Sequence, residues 1–243
     1  MAPLPRSDET VAGRPAARAR GLRVSVHADG TGTVTPLPGA RVHADELRAE
    51  LDVLAAQGVH RVTTSAIGAC DVGPWLAAGF STTTHLVLLR VDLDAVRSPV
   101  RRPRATPGDR PRTGRRRDWA AVDVIDTRAF APQPGLGLAG LLDAMAVTPA
   151  ARLRVSGTPV TGFAIAGHDE RCGYLQRLAV APEATGRGIG GALVADVLRW
   201  LRRRTIHEAL VNTEPDNTRA LDLYERYGFV RQADGLVVLG WRP

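Results

Sequence analysis

The run Leu175-Gln176-Arg177-Leu178-Ala179-Val180-Ala181-Pro182-Glu183-Ala184-Thr185-Gly186-Arg187-Gly188-Ile189-Gly190-Gly191 decides how the rest of the chain is read. Its first six residues, Leu175–Val180, are short and rich in apolar side chains, which predicts a buried strand. Pro182 stops that strand, and Thr185 to Gly191 turn the chain into a helix. Apolar residues follow at Leu193, Val194, Val197, Leu198 and Leu201. Their spacing puts one apolar stripe against a sheet. A helix whose first turn is glycine-rich presents free backbone N–H groups, and no bulky side chain blocks the approach. The positive end of the helix dipole points the same way, so the site suits a phosphate or pyrophosphate.

A glycine loop alone can be no more than a tight turn, so the second element downstream carries the decision. Leu210-Val211-Asn212-Thr213 predicts another strand. After it Asn217, Ala220, Leu223, Tyr224, Gly228 and Phe229 stand in the order N-x-x-A-x-x-L-Y-x-x-x-G-F. With these two motifs the chain resembles the GNAT superfamily of N-acetyltransferases, whose signature pairs a Q/R-x-x-G-x-G/A loop with this Asn…Tyr…Gly-Phe helix.

The resemblance implies an α/β fold of the GNAT acetyltransferase type and an acetyl-CoA-dependent N-acetyltransferase acting on a primary amine of a small molecule, peptide or protein. It assigns the pyrophosphate of acetyl-CoA to the backbone amides of Gly186, Arg187, Gly188, Ile189, Gly190 and Gly191. The pantetheine arm would lie along Leu178, Ala179 and Val180 like an added strand. One amide of that edge would donate to the thioester oxygen, a contribution of about 3 kcal/mol in the transition state. Tyr224 becomes the general acid for the departing sulfur, since a phenol stays protonated at neutral pH. Asn217 is placed on the cofactor arm, a role compatible with capping its helix. No metal is implied.

Two residues depart from the family pattern. Thr185 stands where the loop usually opens with Gln or Arg, and Arg187 could supply the missing charge. Asn212 stands where members that acetylate ribosomal-protein N-termini carry a glutamate base, and asparagine accepts no proton near pH 7. Glu214, Glu183 and Glu170 remain as groups that could act through water, and the base stays unassigned. These departures motivate a second reading, a non-catalytic acyl-CoA-binding sensor or scaffold of the same fold.

Composition narrows the other classes. The net charge of +7 is concentrated between Arg97 and Arg117, where nine arginines face the single acid Asp109. That segment sums to +8, which leaves about −1 for the rest of the chain. With four prolines and no aromatic residue in it, an extended linker is expected rather than a nucleic-acid arm. A third reading, anchorage on RNA or ribosome, would rest on this segment alone. All 32 basic residues are arginine, which excludes a lysine base. Cys70 and Cys172 lack CxxC spacing, so neither a disulfide framework nor a zinc site is supported. No apolar run of spanning length is found, and the first residues lack the apolar core of a secretory signal. No membrane is expected, and a cytoplasmic protein is the default.

The linker divides the chain, and the two parts align at an offset of 149 positions: Val62 on Val211, Thr64 on Thr213, Trp75 on Tyr224, and Gly79-Phe80 on Gly228-Phe229. Helix, strand, helix and Gly-Phe recur in the same order, as in an internal repeat. The front copy lacks the glycine loop, having Leu37-Pro38-Gly39-Ala40-Arg41 instead, and has Gly68 where Asn217 would be. The expected organisation is a flexible 1–20, a truncated, degenerate GNAT-like half over 21–96, a linker over 97–117 and a catalytic domain over 118–243. This arrangement resembles tandem acetyltransferases such as the mycothiol-forming enzymes. In the back part, the order β-α-α-β-β-β-α-β-α-β is expected, opening with a strand-to-helix segment over Trp119–Phe130 and closing with a strand over Val230–Leu239.

Overall fold

The computed structural model describes residues 21–27, 29–37, 39–95, 106–131 and 135–243. In chain order these form β1 (Leu22–Val26), β2 (Thr31–Pro36), α1 (Ala44–Ala56), β3 (Arg61–Thr64), β4 (Ile67–Gly68), α2 (Gly73–Ala77) and β5 (Ser81–Asp92). The second part brings β6 (Arg112–Thr113), α3 (Trp119–Phe130), α4 (Gly137–Ala146), β7 (Ala150–Ser156), β8 (Gly162–His168) and β9 (Cys172–Val180). It ends with α5 (Ile189–Arg202), β10 (Glu208–Thr213), α6 (Thr218–Arg226), β11 (Val230–Arg231) and β12 (Leu236–Trp241).

The chain divides into two compact units, one reaching to His85 and including Leu236–Pro243, the other Leu86–Gly235. In the first unit the strands run in the order β1-β2-β3-β12, with the start of β5 beside β12. β2 and β3 are parallel neighbours over four residue pairs, from Thr31↔Arg61 to Val34↔Thr64. Leu47, Leu51 and Leu54, spaced to share one face of α1, close its core with Val34, Val62, Trp75 and Phe80. In the second unit the order is the end of β5, then β10-β9-β8-β7-β6. α5 buries Leu193, Val194, Val197, Leu198 and Leu201, the stripe read from sequence. Each such side chain contributes about 1.5–3 kcal/mol when removed from water. α5 lies against β7, β8 and β9, close enough that a Cβ on Gly173 would stand 2.5 Å from Leu201.

The organisation differs from the expectation in three places. Residues 106–117, read as the end of an extended linker, are built into the second unit. Arg112 and Thr113 form β6 against Val155 and Arg154, and Arg112 is held by Asp118 through two bonds of 2.8 Å. Local ion pairing there offsets the self-repulsion that had suggested extension. Residues 97–105, the remainder of that linker, and residues 1–20 lie outside the described residues. Trp119–Phe130, expected to open on a strand, is helical throughout, and the opening strand is β6. Finally, Val230–Leu239 is two strands: β11 pairs with β5, and β12 belongs to the first unit rather than to a domain ending at 243.

Candidate functional site

The site is built where β9 leaves β10. The two strands are parallel for three residue pairs at the start of β9, from Cys172↔Glu208 to Tyr174↔Leu210, and the register goes no further. Both strands nevertheless run on, to Val180 and to Thr213. On its other side β9 stays paired with β8 as far as Gly162↔Val180. The edge of β9 from Leu175 to Val180 that would meet β10 is therefore left open. Backbone polar groups on such an edge need a partner, and an extended ligand with its own amides can supply one. A register shift on the β8 side, with Ala166 opposite Leu175 and Ile165 opposite Arg177, leaves Gln176 as an extra, bulged residue. Bulges re-aim backbone and side-chain groups locally.

The bulge is clamped from one side. Arg177 donates to Asp126 at 2.7 and 2.9 Å, and Asp126 is fully buried on α3. Asp126 also accepts from the Leu136 N–H at 2.8 Å, and the guanidinium of Arg177 lies 3.3 Å over the Phe130 ring. A buried carboxylate without such partners would be strongly unfavourable. Sequence reading passed over both residues, although an acid among Val122, Ile125 and Phe130 on a core-facing helix, and an arginine inside an apolar strand, are complementary signals.

Beyond Val180 the glycine loop opens α5. Gly188 adopts φ +81°, a left-handed conformation open to glycine and strained for other residues, and serves as the N-cap residue. The helical ladder begins with the Ala192 N–H donating to the Gly188 carbonyl at 3.0 Å. The N–H groups of Ile189, Gly190 and Gly191 thus have no acceptor within the helix, and the first turn carries no acid. Arg187 is otherwise engaged: its Nη2 donates to both oxygens of the buried Asp109, at 3.0 and 2.8 Å. Its side chain therefore anchors the loop. Thr185 donates its hydroxyl to the Pro182 carbonyl at 2.8 Å, which shapes the turn ahead of the loop.

Tyr224 is 5% exposed on α6, with its ring 5.7 Å from that of Phe229. Burial pushes its phenol well above the ordinary range, so it stays protonated. Among the described residues its hydroxyl has no hydrogen-bond partner, whereas that of Tyr174 donates to Asp169 at 3.0 Å. Buried tyrosine hydroxyls usually find a partner, so this one is free to serve a ligand. Ala179, Ile189 and Tyr224 share one core cluster, with Leu178 and Val180 packed against it. Asn217 caps α6, accepting from the Ala220 N–H at 3.1 Å, and is otherwise exposed.

The remaining polar candidates separate by place. Glu183 is bonded to Arg128 at 3.0 and 2.9 Å, and its carboxyl is held below the usual range by its backbone N–H and that arginine. Glu170 precedes β9, whose nine residues put it about 30 Å from the loop. Glu214 is half-buried directly after β10, at the open end of the wedge. Burial, and then the charge of Glu208, raise the Cys172 thiol to about 12, so it remains a packed thiol. The His168 Nδ1 lies 2.8 Å from the Asp169 carbonyl, and its Nε2 is buried without a partner among the described residues.

Residues 140–229 match the model of the Acetyltransferase (GNAT) family. Mycothiol acetyltransferase of Salinispora arenicola is 32% identical over 206 residues, covering 72% of this chain and 66% of that protein. Residues 140–229 form a GNAT acetyltransferase domain. Mycothiol acetyltransferase of Geodermatophilus obscurus is 42% identical over 73 residues, 30% of this chain and 23% of that enzyme. The match thus spans just under two thirds of the first of these relatives and about a quarter of the second. Among solved structures, a tandem GNAT protein from the clavulanic acid biosynthesis pathway superposes with TM-score 0.64 at 17% identity, covering 91% of this chain and 78% of that one. A GCN5-related N-acetyltransferase from Kribbella flavida gives TM-score 0.61 at 15% identity, covering 95% and 89%. The GNAT region holds both motifs, the open edge of β9 and Tyr224.

Proposed function

We propose that this GNAT protein transfers an acetyl group from acetyl-CoA to a primary amine of a small molecule, peptide or protein. The observation that carries the reading is the open edge of β9, which ends at a loop of free amides. The residues present fit the donor. Gly186 has open space where a Cβ would stand, Gly188 keeps the loop tight, and no carboxylate on the first turn of α5 repels a phosphate. The amides of Gly186, Arg187, Gly188, Ile189, Gly190 and Gly191 would hold the pyrophosphate, and Leu178, Ala179 and Val180 the pantetheine arm. Asn217, with its carbonyl committed to the cap, keeps its side-chain N–H groups for that arm. When bound, acetyl-CoA supplies an acetyl group activated as a thioester. Tyr224 keeps a proton on a hydroxyl with no protein partner, the condition for donating it to a leaving sulfur. Of the three carboxylates, Glu214 alone follows directly on the strand that parts from β9 and makes no ion pair among the described residues, so it would receive the proton of an incoming amine.

The first unit, on this reading, is a truncated GNAT-like copy that no longer binds cofactor. The donor also favours a cytoplasmic setting; among the described residues no helix is long and apolar enough to cross a membrane.

Calorimetric titration with acetyl-CoA tests the proposal, beside a Gly188→Trp variant. Micromolar binding lost in the variant, followed by amine-dependent release of CoA, is the expected result. Binding without turnover on any amine would favour the acyl-CoA-binding scaffold, and no binding by the intact chain would overturn the assignment.

A further inference from the structure

At the end of α5 remote from the glycine loop lies a cavity of about 570 Å³, lined by Thr113, Ala150, Arg152, His168, Trp200 and Arg204 among others. α5 has 14 residues, so this cavity stands about 20 Å from the loop. Two arginines of β7 show what it is for. Arg154 and Arg152 both reach Asp196 on α5. Arg154 is well engaged, with four of its five N–H donors used: it donates to Asp196 at 2.7 and 3.0 Å, to the Thr113 hydroxyl at 2.9 Å and to the Pro111 carbonyl at 2.8 Å. Arg152 has only a 3.5 Å contact with the same carboxylate, and its guanidinium lies 5.1 Å from the centre of the Trp200 ring. Its side chain is 24% exposed, so a largely desolvated group with five N–H donors faces the cavity with the long Asp196 contact as its one carboxylate partner among the described residues.

The charge there is unbalanced in the same sense. Arg204 stands on the cavity wall, and its side chain has no ion pair among the described residues. Arg202, by contrast, is engaged with the Leu93 carbonyl at 3.0 Å. Burial first, then Arg154, and further Arg204 and Arg203 push the Arg152 guanidinium down from its ordinary range, against the pull of Asp196.

We propose that this cavity binds an oxyanion, a phosphate or carboxylate group, on the N–H donors of Arg152 with Arg204 beside it. The planar fork of a guanidinium matches two oxygens of either group. Trp200, Pro149 and Ala151 offer an apolar wall for the organic body that carries it.

The test follows the indole N–H resonance of Trp200, assigned with Trp200→Phe, while the full chain is titrated at constant ionic strength with inorganic phosphate and, separately, with acetate. A saturable shift with at least one anion is expected, and the anion that produces it identifies the class. Its midpoint should rise about tenfold in Arg152→Gln and severalfold in the surface variant Arg204→Gln, but stay unchanged in Gly188→Trp. A resonance that stays still or drifts linearly under both anions, or saturation untouched by both arginine substitutions, would overturn the proposal.

Discussion

The two units share one local turn and differ in what surrounds it. In the second, Phe229 N–H donates to the Tyr224 carbonyl at 3.1 Å and Gly228 N–H to that of Glu225 at 3.0 Å. In the first, Phe80 bonds Trp75 at 3.1 Å and Gly79 bonds Leu76 at 3.0 Å. Both glycines are left-handed, at φ +87° and +96°, and each aromatic pair is in ring contact. The differences lie where chemistry would occur. β2 and β3 stay parallel through Val34↔Thr64, the last residue of β3, while β9 leaves β10 after Tyr174. Asp45 and Glu46 occupy the first turn of α1, where they would repel a phosphate, and α5 has no acid there. Trp75 replaces a phenol with an indole. The same helix-to-glycine turn thus packs a core in both units, while an open strand edge and an acid-free helix start occur together in the second.

The comparison breaks most visibly at the glycines. Gly188→Val should weaken acetyl-CoA binding more than about a hundredfold, since strain and bulk fall on the amides themselves. Gly39→Val, also at a left-handed position but in the first unit, should leave that binding untouched in the same calorimeter. Next come the paired aromatics. Tyr224→Phe should lower kcat about a hundredfold with the acetyl-CoA Kd nearly unchanged. Trp75→Phe should keep kcat and cost about 2 kcal/mol in denaturant unfolding. A full-rate Tyr224→Phe would remove the functional contrast between the two units.

Smaller effects sharpen the second unit's side of the contrast. Asp109→Asn removes the clamp on Arg187 and should weaken acetyl-CoA binding about fivefold, with kcat preserved. Asp118 is held at about 2, chiefly by its bond to Arg112. Its unfolded value is about 3.9, so the pair stabilises the folded state above about pH 4, and that contribution is lost as pH falls toward 2. Asp118→Asn should flatten this part of an acid-unfolding curve followed by circular dichroism.

The strand, loop and helix around Gly186–Gly191 were legible because apolar period and glycine placement are local. So was the Asn217–Phe229 element, whose cap and turn close within a few residues. The Asp126–Arg177 pair was not legible, because its members lie 51 residues apart, and the bulge at Gln176 was not, because it depends on the register that β9 takes against β8. The segment 106–117 misled for a related reason. Its charge density argues for extension until Asp118 and, from elsewhere in the chain, Arg187 and Val155 are seen to receive it.

By itself the sequence determined the family, the phosphate-suited loop and the position of Tyr224, since each is written in residues close along the chain. Only the tertiary structure decided that β9 parts from β10, that the Arg187 side chain pairs with Asp109, that Glu214 sits where the two strands part, and that Arg152 makes one long carboxylate contact beside a cavity. Those outcomes depend on which distant backbone edges and side chains satisfy one another, and hydrogen bonds and charge pairs are settled by proximity in space, not along the chain.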